Sequence, residues 1–179
     1  MKEQHVILVD EHDIEVGVME KMEAHRLGVL HRAFSIFIFD SKGKMLLQQR
    51  SVEKYHGANL WTNACCSHPA AGERTEEASI RRLQEELGFI TPLKEIFAFT
   101  YRAEVENGLI EHEFDHVFAG VFEGEIVPDK TEVADFAFED MDHIRWALQN
   151  QPSKFTSWFR IAFPKIEPWW KETLGRFVV

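Results

Sequence analysis

The segment 61–69, with the sequence WTNACCSHP, brings a thiol and an imidazole close together along the chain. If this segment is extended, side-chain alternation puts Cys66 and His68 on one side and Cys65 on the other. Only one of the two cysteines would then face the pocket that His68 faces. The alternative is that both cysteines are small core residues beside a loop, because free cysteine is commonly buried.

A pair of carboxylates stands at Glu111 and Glu113, inside an otherwise apolar stretch. Period-two alternation puts both on one face of a strand, where Asp115 continues the row, and places His112 on the opposite face. Carboxylates that are buried in such a position need a metal ion, a proton or an arginine. The alternative is a solvent-facing edge of an acidic protein.

Three histidines, His25, His31 and His68, extend these two carboxylates to a candidate set of five metal ligands. Mixed nitrogen and oxygen donors suit Mn²⁺, Zn²⁺ or Mg²⁺. Five protein ligands favour near-octahedral geometry over a closed tetrahedral zinc site. The sequence does not establish that the five residues meet in space.

Residues 75–87 form the clearest helix, with an apolar stripe at Ile80, Leu83 and Leu87. Gly88 follows the last turn, where glycine commonly ends a helix. Arg82 lies one turn before Glu86 on the same face, so the two charges can pair. Such a helix is also typical of a solvent-exposed face laced with ion pairs.

Strands and helices must be interspersed to position these groups. We predict strands at residues 6–9, 16–19, 33–39, 45–50, 95–105, 111–123 and 133–138. Besides 75–87, we predict a helical turn at 21–25, a helix at 140–149 and a C-terminal helical segment over about 153–175, in which Pro164 and Pro168 separate two pieces. The absence of repeats and linkers predicts one domain over residues 1–179, of the α/β or α+β class with a mixed sheet.

The net charge of -10 over 179 residues argues against nucleic-acid and anionic-membrane partners, because their phosphates would be repelled. The sequence contains no apolar run of about 18 residues and no signal-peptide pattern at its start. Cys65 and Cys66 are adjacent, so a disulfide framework is not expected. A cytoplasmic protein is therefore predicted.

Residues 67–89 resemble the Nudix signature G-x5-E-x7-R-E-U-x-E-E-x-G-U, in which U is a bulky apolar residue. The aligned positions are Ser67, Glu73, Arg81, Arg82, Leu83, Glu85, Glu86, Gly88 and Phe89. Ser67 replaces the opening glycine, and Arg82 replaces the first glutamate of the R-E pair. Nudix hydrolases use those clustered glutamates to hold magnesium, so the change at Arg82 argues against diphosphate hydrolysis.

Three further stretches, 30–35 (LHRAFS), 61–69 and 111–113, make the chain similar to the type I isopentenyl-diphosphate isomerases, a branch of the Nudix superfamily. The match runs from about His5 through Trp158. The resemblance implies a Nudix-type α/β/α sandwich with a mixed sheet. It also implies conversion of isopentenyl diphosphate to dimethylallyl diphosphate in isoprenoid biosynthesis. The partner is then a small prenyl diphosphate, and the oligomeric state stays open, with a monomer compatible.

The resemblance also implies roles for individual residues. The metal ligands would be His25, His31, His68, Glu111 and Glu113. The catalytic groups would be Cys66, Glu113 and the neighbouring Tyr101. Glu86 would help to hold Mg²⁺ on the substrate diphosphate, and the ion at the His/Glu site would be Mn²⁺, Zn²⁺ or Mg²⁺. The substrate-binding residues would be Lys21, Arg50, Lys54 and Arg82 on the diphosphate and Trp158 over the hydrocarbon.

This chemistry explains the residue types. Moving the double bond of an unactivated alkene adds one proton and removes another, so an acid and a base must flank the substrate. The cation-like state in between must be shielded from water. The face of Trp158 would stabilise it, although core packing is the alternative for any tryptophan. The competing functions are a Nudix hydrolase and a non-catalytic binding module with Trp158, Trp169 and Trp170 as a contact patch.

Overall fold

The computed structural model describes residues 4–174. Its strands are β1 (His5–Val9), β2 (Glu15–Glu20), β3 (His31–Phe39), β4 (Met45–Arg50), β5 (Trp61–Asn63), β6 (Cys65–Ser67), β7 (Lys94–Glu104), β8 (Ile110–Val121) and β9 (Val133–Glu139). Its α-helices are α1 (Lys21–Leu27), α2 (Thr75–Leu87), α3 (Met141–Asn150) and α4 (Ser157–Thr173).

All nine strands belong to one mixed sheet, with β3 near its centre. β3 pairs in parallel with β8 and antiparallel with β1, β4 and β6. Because successive side chains alternate, β3 contributes side chains to two hydrophobic cores, one on each face of the sheet. Phe34 and Ile36 pack with α2 on one face, whereas Phe37 and Phe39 pack with α3 and α4 on the other. The predicted α/β/α sandwich with a mixed sheet is confirmed.

The prediction that prolines divide the C-terminal segment is wrong, because α4 runs without a break through Pro164 and Pro168. Both prolines lie on the solvent-exposed face together with Arg160, one turn apart. The carbonyls that lose their amide partner there are accessible to water, and the buried face supplies the packing that holds the helix. Gly175, the last residue of the predicted segment, lies outside the described residues.

Two smaller differences concern β5 and β6 and the face of α2. The short strands β5 and β6 were not predicted as strands, since three residues carry too little periodicity. On α2, Leu83 and Leu87 are fully buried as predicted, but Ile80 is 41% exposed. The buried face is rotated towards Glu86, which lies inside the protein on the side of the sheet.

Within residues 4–174, none of the helices has the length and apolar content needed to cross a membrane.

Candidate active site

Local structure fixes the first two histidines. Glu20 caps the start of α1 by accepting from the amides of Met22 and Glu23, and Gly28 ends the helix with φ 64°. This short helix buries His25, and the turn after it leads into β3 at His31. Glycine suits the turn because L-residues with side chains rarely adopt a positive φ.

Both rings are oriented by the backbone. The Nδ1 atom of His25 lies 2.7 Å from the Lys21 carbonyl, and that of His31 lies 2.8 Å from the Val29 carbonyl. A carbonyl only accepts, so each Nδ1 carries a hydrogen and each ring directs its Nε2 into the site. This is the arrangement that a metal-binding histidine needs.

The three imidazoles and Glu113 converge on one point. His31 Nε2 lies 3.2 Å from His68 Nε2, and His68 Nε2 lies 2.9 Å from Glu113 Oε1. Ligand atoms of His25, His31, His68 and Glu113 all lie within 4.8 Å of one another. Neighbouring ligands around an ion at about 2.1 Å are themselves about 3 Å apart, so these separations fit a divalent ion. The buried Nε2 of His25 also has no hydrogen-bond partner among the described residues.

Glu111 belongs to a second group that shares His25 and adds His56. Glu111 Oε2 lies 3.6 Å from His25 Nε2, and Glu111 Oε1 lies 2.8 Å from His56 Nε2. The five predicted ligands therefore gather around His25. Sequence reasoning missed His56, which lies in the loop before β5 and has no motif spacing to mark it.

Burial and charge set the protonation of this cluster. Burial holds the pKa of His68 well below its usual value, and the positive charges of Lys21 and His31 lower it further. Burial alone would raise the pKa of Glu113, but the hydrogen bond and charge of His31 outweigh it and bring that pKa to about 2. A neutral imidazole beside an ionised carboxylate is the donor set that a divalent cation prefers.

The two cysteines face opposite sides of the sheet, as predicted from alternation. Cys65 is fully buried in the core under α2, whereas Cys66 packs against the core under α4. Cys66 therefore lies on the same side of the sheet as Tyr101 and the metal-type cluster, by which we mean His25, His31, His68, Glu111 and Glu113. Cys66 Sγ lies 3.1 Å from Asn63 Oδ1 and 3.5 Å from Ser35 Oγ. Burial, with the nearby Asp115 carboxyl, raises the pKa of the Cys66 thiol to about 12. Cys66 is therefore a neutral thiol.

Alternation on β8 also holds, because Glu111, Glu113 and Asp115 are all buried on one face. Tyr101 lies opposite Glu113 on the neighbouring strand and donates its hydroxyl to Glu113 Oε2 at 2.6 Å. Burial, and then the charge of Glu113, raises the pKa of Tyr101 well above its usual value. The phenol thus stays protonated beside the carboxylate. Asp115 instead accepts from Ser35 at 2.8 Å.

Four cations gather beside this cluster: Lys21, Arg50, Lys54 and Arg82. Burial lowers the pKa of Lys21 to about 8, and the charges of Lys54, Arg50 and Arg82 lower it further. Lys54 pairs with Glu132. Arg82 binds Glu86 at 2.6 Å and reaches Glu132 at 3.4 Å. Glu132 is a further charged group that sequence reasoning missed.

Trp158 closes the site from α4. Its ring is stacked by the Arg50 guanidinium at 5.0 Å and meets the ring of His56 edge-on. Arg50 Nε and Trp158 Nε1 are buried and have no hydrogen-bond partner among the described residues. Unpaired buried donors are rare in proteins.

The predicted Mg²⁺ residue Glu86 lies outside both groups of metal-type residues. It is 3% exposed and accepts from Arg82 and, at 3.1 Å, from Gln48. Magnesium commonly takes only one or two protein carboxylates and completes its shell with water and substrate phosphates. A single buried carboxylate beside the cation cluster fits that pattern.

Comparison with solved structures defines the class. The chain superposes on a Deinococcus radiodurans protein with a TM-score of 0.77 at 17% identity, covering 90% of this chain and 98% of that one. For a MutT protein from Methanosarcina mazei the TM-score is 0.64 at 18% identity, covering 78% and 94%. The NUDIX domain model matches residues 29–159. The fold is that of a NUDIX domain.

Sequence relatives narrow this class. An isopentenyl-diphosphate Delta-isomerase from Pectobacterium atrosepticum is 48% identical over 168 residues, covering 93% of each chain. Enzymes of the same name from Burkholderia multivorans and Nocardia farcinica are 47% and 42% identical, covering 93% and 96% of this chain and 98% and 99% of their own. The chain belongs to the isopentenyl-diphosphate Delta-isomerase family within the larger NUDIX family.

Proposed function

We infer that this protein converts isopentenyl diphosphate to dimethylallyl diphosphate in isoprenoid biosynthesis. The observation that carries the inference is the placement of two proton-transfer groups on one face of the sheet. The Cys66 thiol lies on β6 and the Tyr101–Glu113 pair on β7 and β8, and β3 runs between them. An alkene held across β3 would meet one proton-transfer group at each end.

The reaction moves two protons. A proton is added to the terminal C4 carbon, the double bond shifts from C3–C4 to C2–C3, and a proton leaves C2. We assign these transfers to Cys66 on one side and to Glu113 with Tyr101 on the other, where one side donates a proton as the acid and the other, in its deprotonated form, accepts one as the base. Burial of Glu113, Tyr101 and Trp158, each less than 8% exposed, keeps water from the tertiary cation-like state.

The metal-binding role is proposed for His25, His31, His68, Glu111 and Glu113. A divalent ion held there supplies positive charge that strengthens the acidity of a group bound to it. The mixed donor set fits Mn²⁺, Zn²⁺ or Mg²⁺. The chain's own contribution is to fix the rings through the Lys21 and Val29 carbonyls, so that the ligands need little rearrangement.

The diphosphate is assigned to the cluster of Lys21, Arg50, Lys54 and Arg82, with Mg²⁺ held through Glu86. Arg82 replaces a carboxylate of the Nudix signature with a donor suited to phosphate. Trp158 is assigned to the hydrocarbon, where its ring face stabilises positive charge by about 0.5–2 kcal/mol.

We further propose that residues 1–179 act as one domain in the cytoplasm, since both cysteines are free thiols. We also propose that the protein has no nucleic-acid or membrane partners.

The test is incubation with isopentenyl diphosphate and Mg²⁺, with and without Mn²⁺ or Zn²⁺, in heavy water, followed by NMR. Deuterium in a methyl group of dimethylallyl diphosphate is expected. The Glu113→Gln variant should give no product. Released phosphate would favour a hydrolase instead, and absence of turnover with every ion would refute the proposed function.

A further inference from the structure

A buried chain of hydrogen bonds joins the Cys66 thiol to the start of α4. Cys66 Sγ lies 3.1 Å from Asn63 Oδ1, and Thr62 Oγ1 lies 3.0 Å from the same oxygen. Thr156 Oγ1 lies 3.0 Å from Thr62 Oγ1. Asn63, Thr62 and Thr156 are at most 1% exposed. Three polar side chains this deep destabilise a fold unless their hydrogen bonds are all satisfied, and here they are connected into one network.

The orientation of the Asn63 amide follows from its other contacts. Its Nδ2 lies 3.0 Å from the carbonyl of Ile36 and 3.0 Å from the carbonyl of Cys65. A flipped amide would direct its oxygen at both carbonyls, which accept only. Oδ1 therefore faces Cys66. Because an amide oxygen also accepts only, the hydrogen in the contact between Asn63 and Cys66 belongs to the thiol.

The rest of the network has one consistent direction. Thr62 donates its single hydroxyl hydrogen to Asn63 Oδ1, and Thr156 donates its own to Thr62. Thr156 Oγ1 in turn accepts from the amide of Phe159 at 3.4 Å and caps the start of α4. Trp158 lies in that first turn. The Cys66 thiol and the helix that carries Trp158 are thus joined by the same three side chains, Asn63, Thr62 and Thr156.

We propose that Asn63 is a positioning residue that directs the Cys66 thiol, with Thr62 and Thr156 fixing its amide oxygen. The proposal rests on the proposed function, in which Cys66 exchanges a proton with the substrate. A thiol has only one hydrogen, and rotation about its side-chain bond would move both this hydrogen and the sulfur lone pairs. The bond to Asn63 selects one rotamer and so fixes the direction of the S–H bond and of the sulfur lone pairs relative to the substrate.

The experiment measures the hydrogen bond and the kinetics separately. In a Cys65→Ala background, which leaves Cys66 as the only thiol, the S–H stretching band in the Raman spectrum reports whether the thiol is hydrogen-bonded. We expect Asn63→Ala to move this band to higher frequency. Since a displacement of about 1 Å costs on the order of 100-fold in rate, we expect kcat to fall by roughly that factor with KM little changed.

Thr62 provides a matched pair in case Asn63→Ala does not fold. Thr62→Val removes the hydroxyl at nearly constant shape and leaves the Asn63 donors in place, so kcat should fall by roughly 10-fold, within the range of a misplaced group. Thr62→Ser restores the hydroxyl and should restore kcat. A Thr62→Val enzyme with wild-type kcat, or a Thr62→Ser enzyme as impaired as Thr62→Val, would overturn the proposal.

The outcomes also distinguish this proposal from the proposed function. An active Cys65→Ala enzyme whose S–H band does not respond to Asn63→Ala would overturn the positioning role alone. A folded Cys65→Ala protein with metal bound but without any isomerase turnover would count against the proposed function, and the positioning role would fall with it.

Discussion

His56 provides a sharp test of how the metal-type cluster is supported. Its Nε2 lies 2.8 Å from Glu111 Oε1, and both side chains are about 5% exposed or less. The carboxylate only accepts, so His56 donates to it and fixes one of the two oxygens. His56→Leu removes this donor and leaves Glu111 with His25 Nε2 at 3.6 Å, beyond hydrogen-bond range.

The expected loss of metal affinity follows from the hydrogen bond that Glu111 loses. Loss of a hydrogen bond that orients a metal ligand lowers metal affinity by roughly 10- to 100-fold. That range corresponds to about 1.4–2.8 kcal/mol of binding free energy. The leucine side chain fills most of the vacated volume against Trp158, so the change acts on the carboxylate and not on the wall of the site.

The assay is a competition titration of the metal-free protein with Mn²⁺ or Zn²⁺ against a chromogenic chelator. His56→Gln keeps an N–H donor at a similar reach and should recover most of the affinity. His143→Leu is the matched control, because His143 is an exposed histidine of α3 that pairs with Glu139 at the end of β9. If His56→Leu binds the ion as tightly as the wild type, the assignment of His56 as a support for Glu111 is refuted.

Three further predictions address other parts of the chain. Cys66→Ala should abolish isomerase turnover in the NMR assay while Cys65→Ala largely spares it, because the two thiols face opposite cores; equal losses would contradict the assignment. Arg82→Gln should raise KM by about 10-fold or more in steady-state kinetics, since a charge-assisted hydrogen bond contributes about 1.5–3 kcal/mol, and an unchanged KM would exclude Arg82 from the diphosphate site. Gly88→Ala should lower the free energy of unfolding by about 2 kcal/mol or more and Tm by about 4–8 °C in thermal denaturation, because φ is 76° and a Cβ would lie 2.4 Å from the Val127 carbonyl oxygen; an unchanged Tm would refute this.

Short-range patterns correctly predicted the faces of the β8 carboxylates and of the two cysteines. Alternation alone placed Glu111 with Glu113 and separated Cys65 from Cys66, because the side-chain period of a strand is fixed by its backbone geometry. It could not predict which strand would lie beside which. The parallel pairing of β3 with β8, which brings His31 opposite Glu113, joins residues far apart in the sequence.

Two features depended on tertiary context and were therefore beyond local reasoning. Pro164 and Pro168 stay within α4 because both lie on its exposed face, and the sequence does not show which face that is until the helix is packed. His56 lies in an irregular loop, where no period relates it to Glu111. Its role is visible only through the 2.8 Å contact between their side chains.

The charges around Arg82 explain the effect of having an arginine where the Nudix signature has a glutamate. A glutamate at this position, as in the Nudix signature, would stand beside the carboxylates of Glu86 and Glu132 and would repel a diphosphate. Arg82 instead binds both carboxylates, and its charge adds to the burial and the other cations that lower the pKa of Lys21 to about 8. Positive charges that repel one another favour an incoming anion, because it relieves their mutual repulsion. In the proposed function, this one change removes a ligand of the hydrolytic metal site and adds an attractive group for the substrate diphosphate, in a protein whose net charge of -10 would otherwise oppose binding.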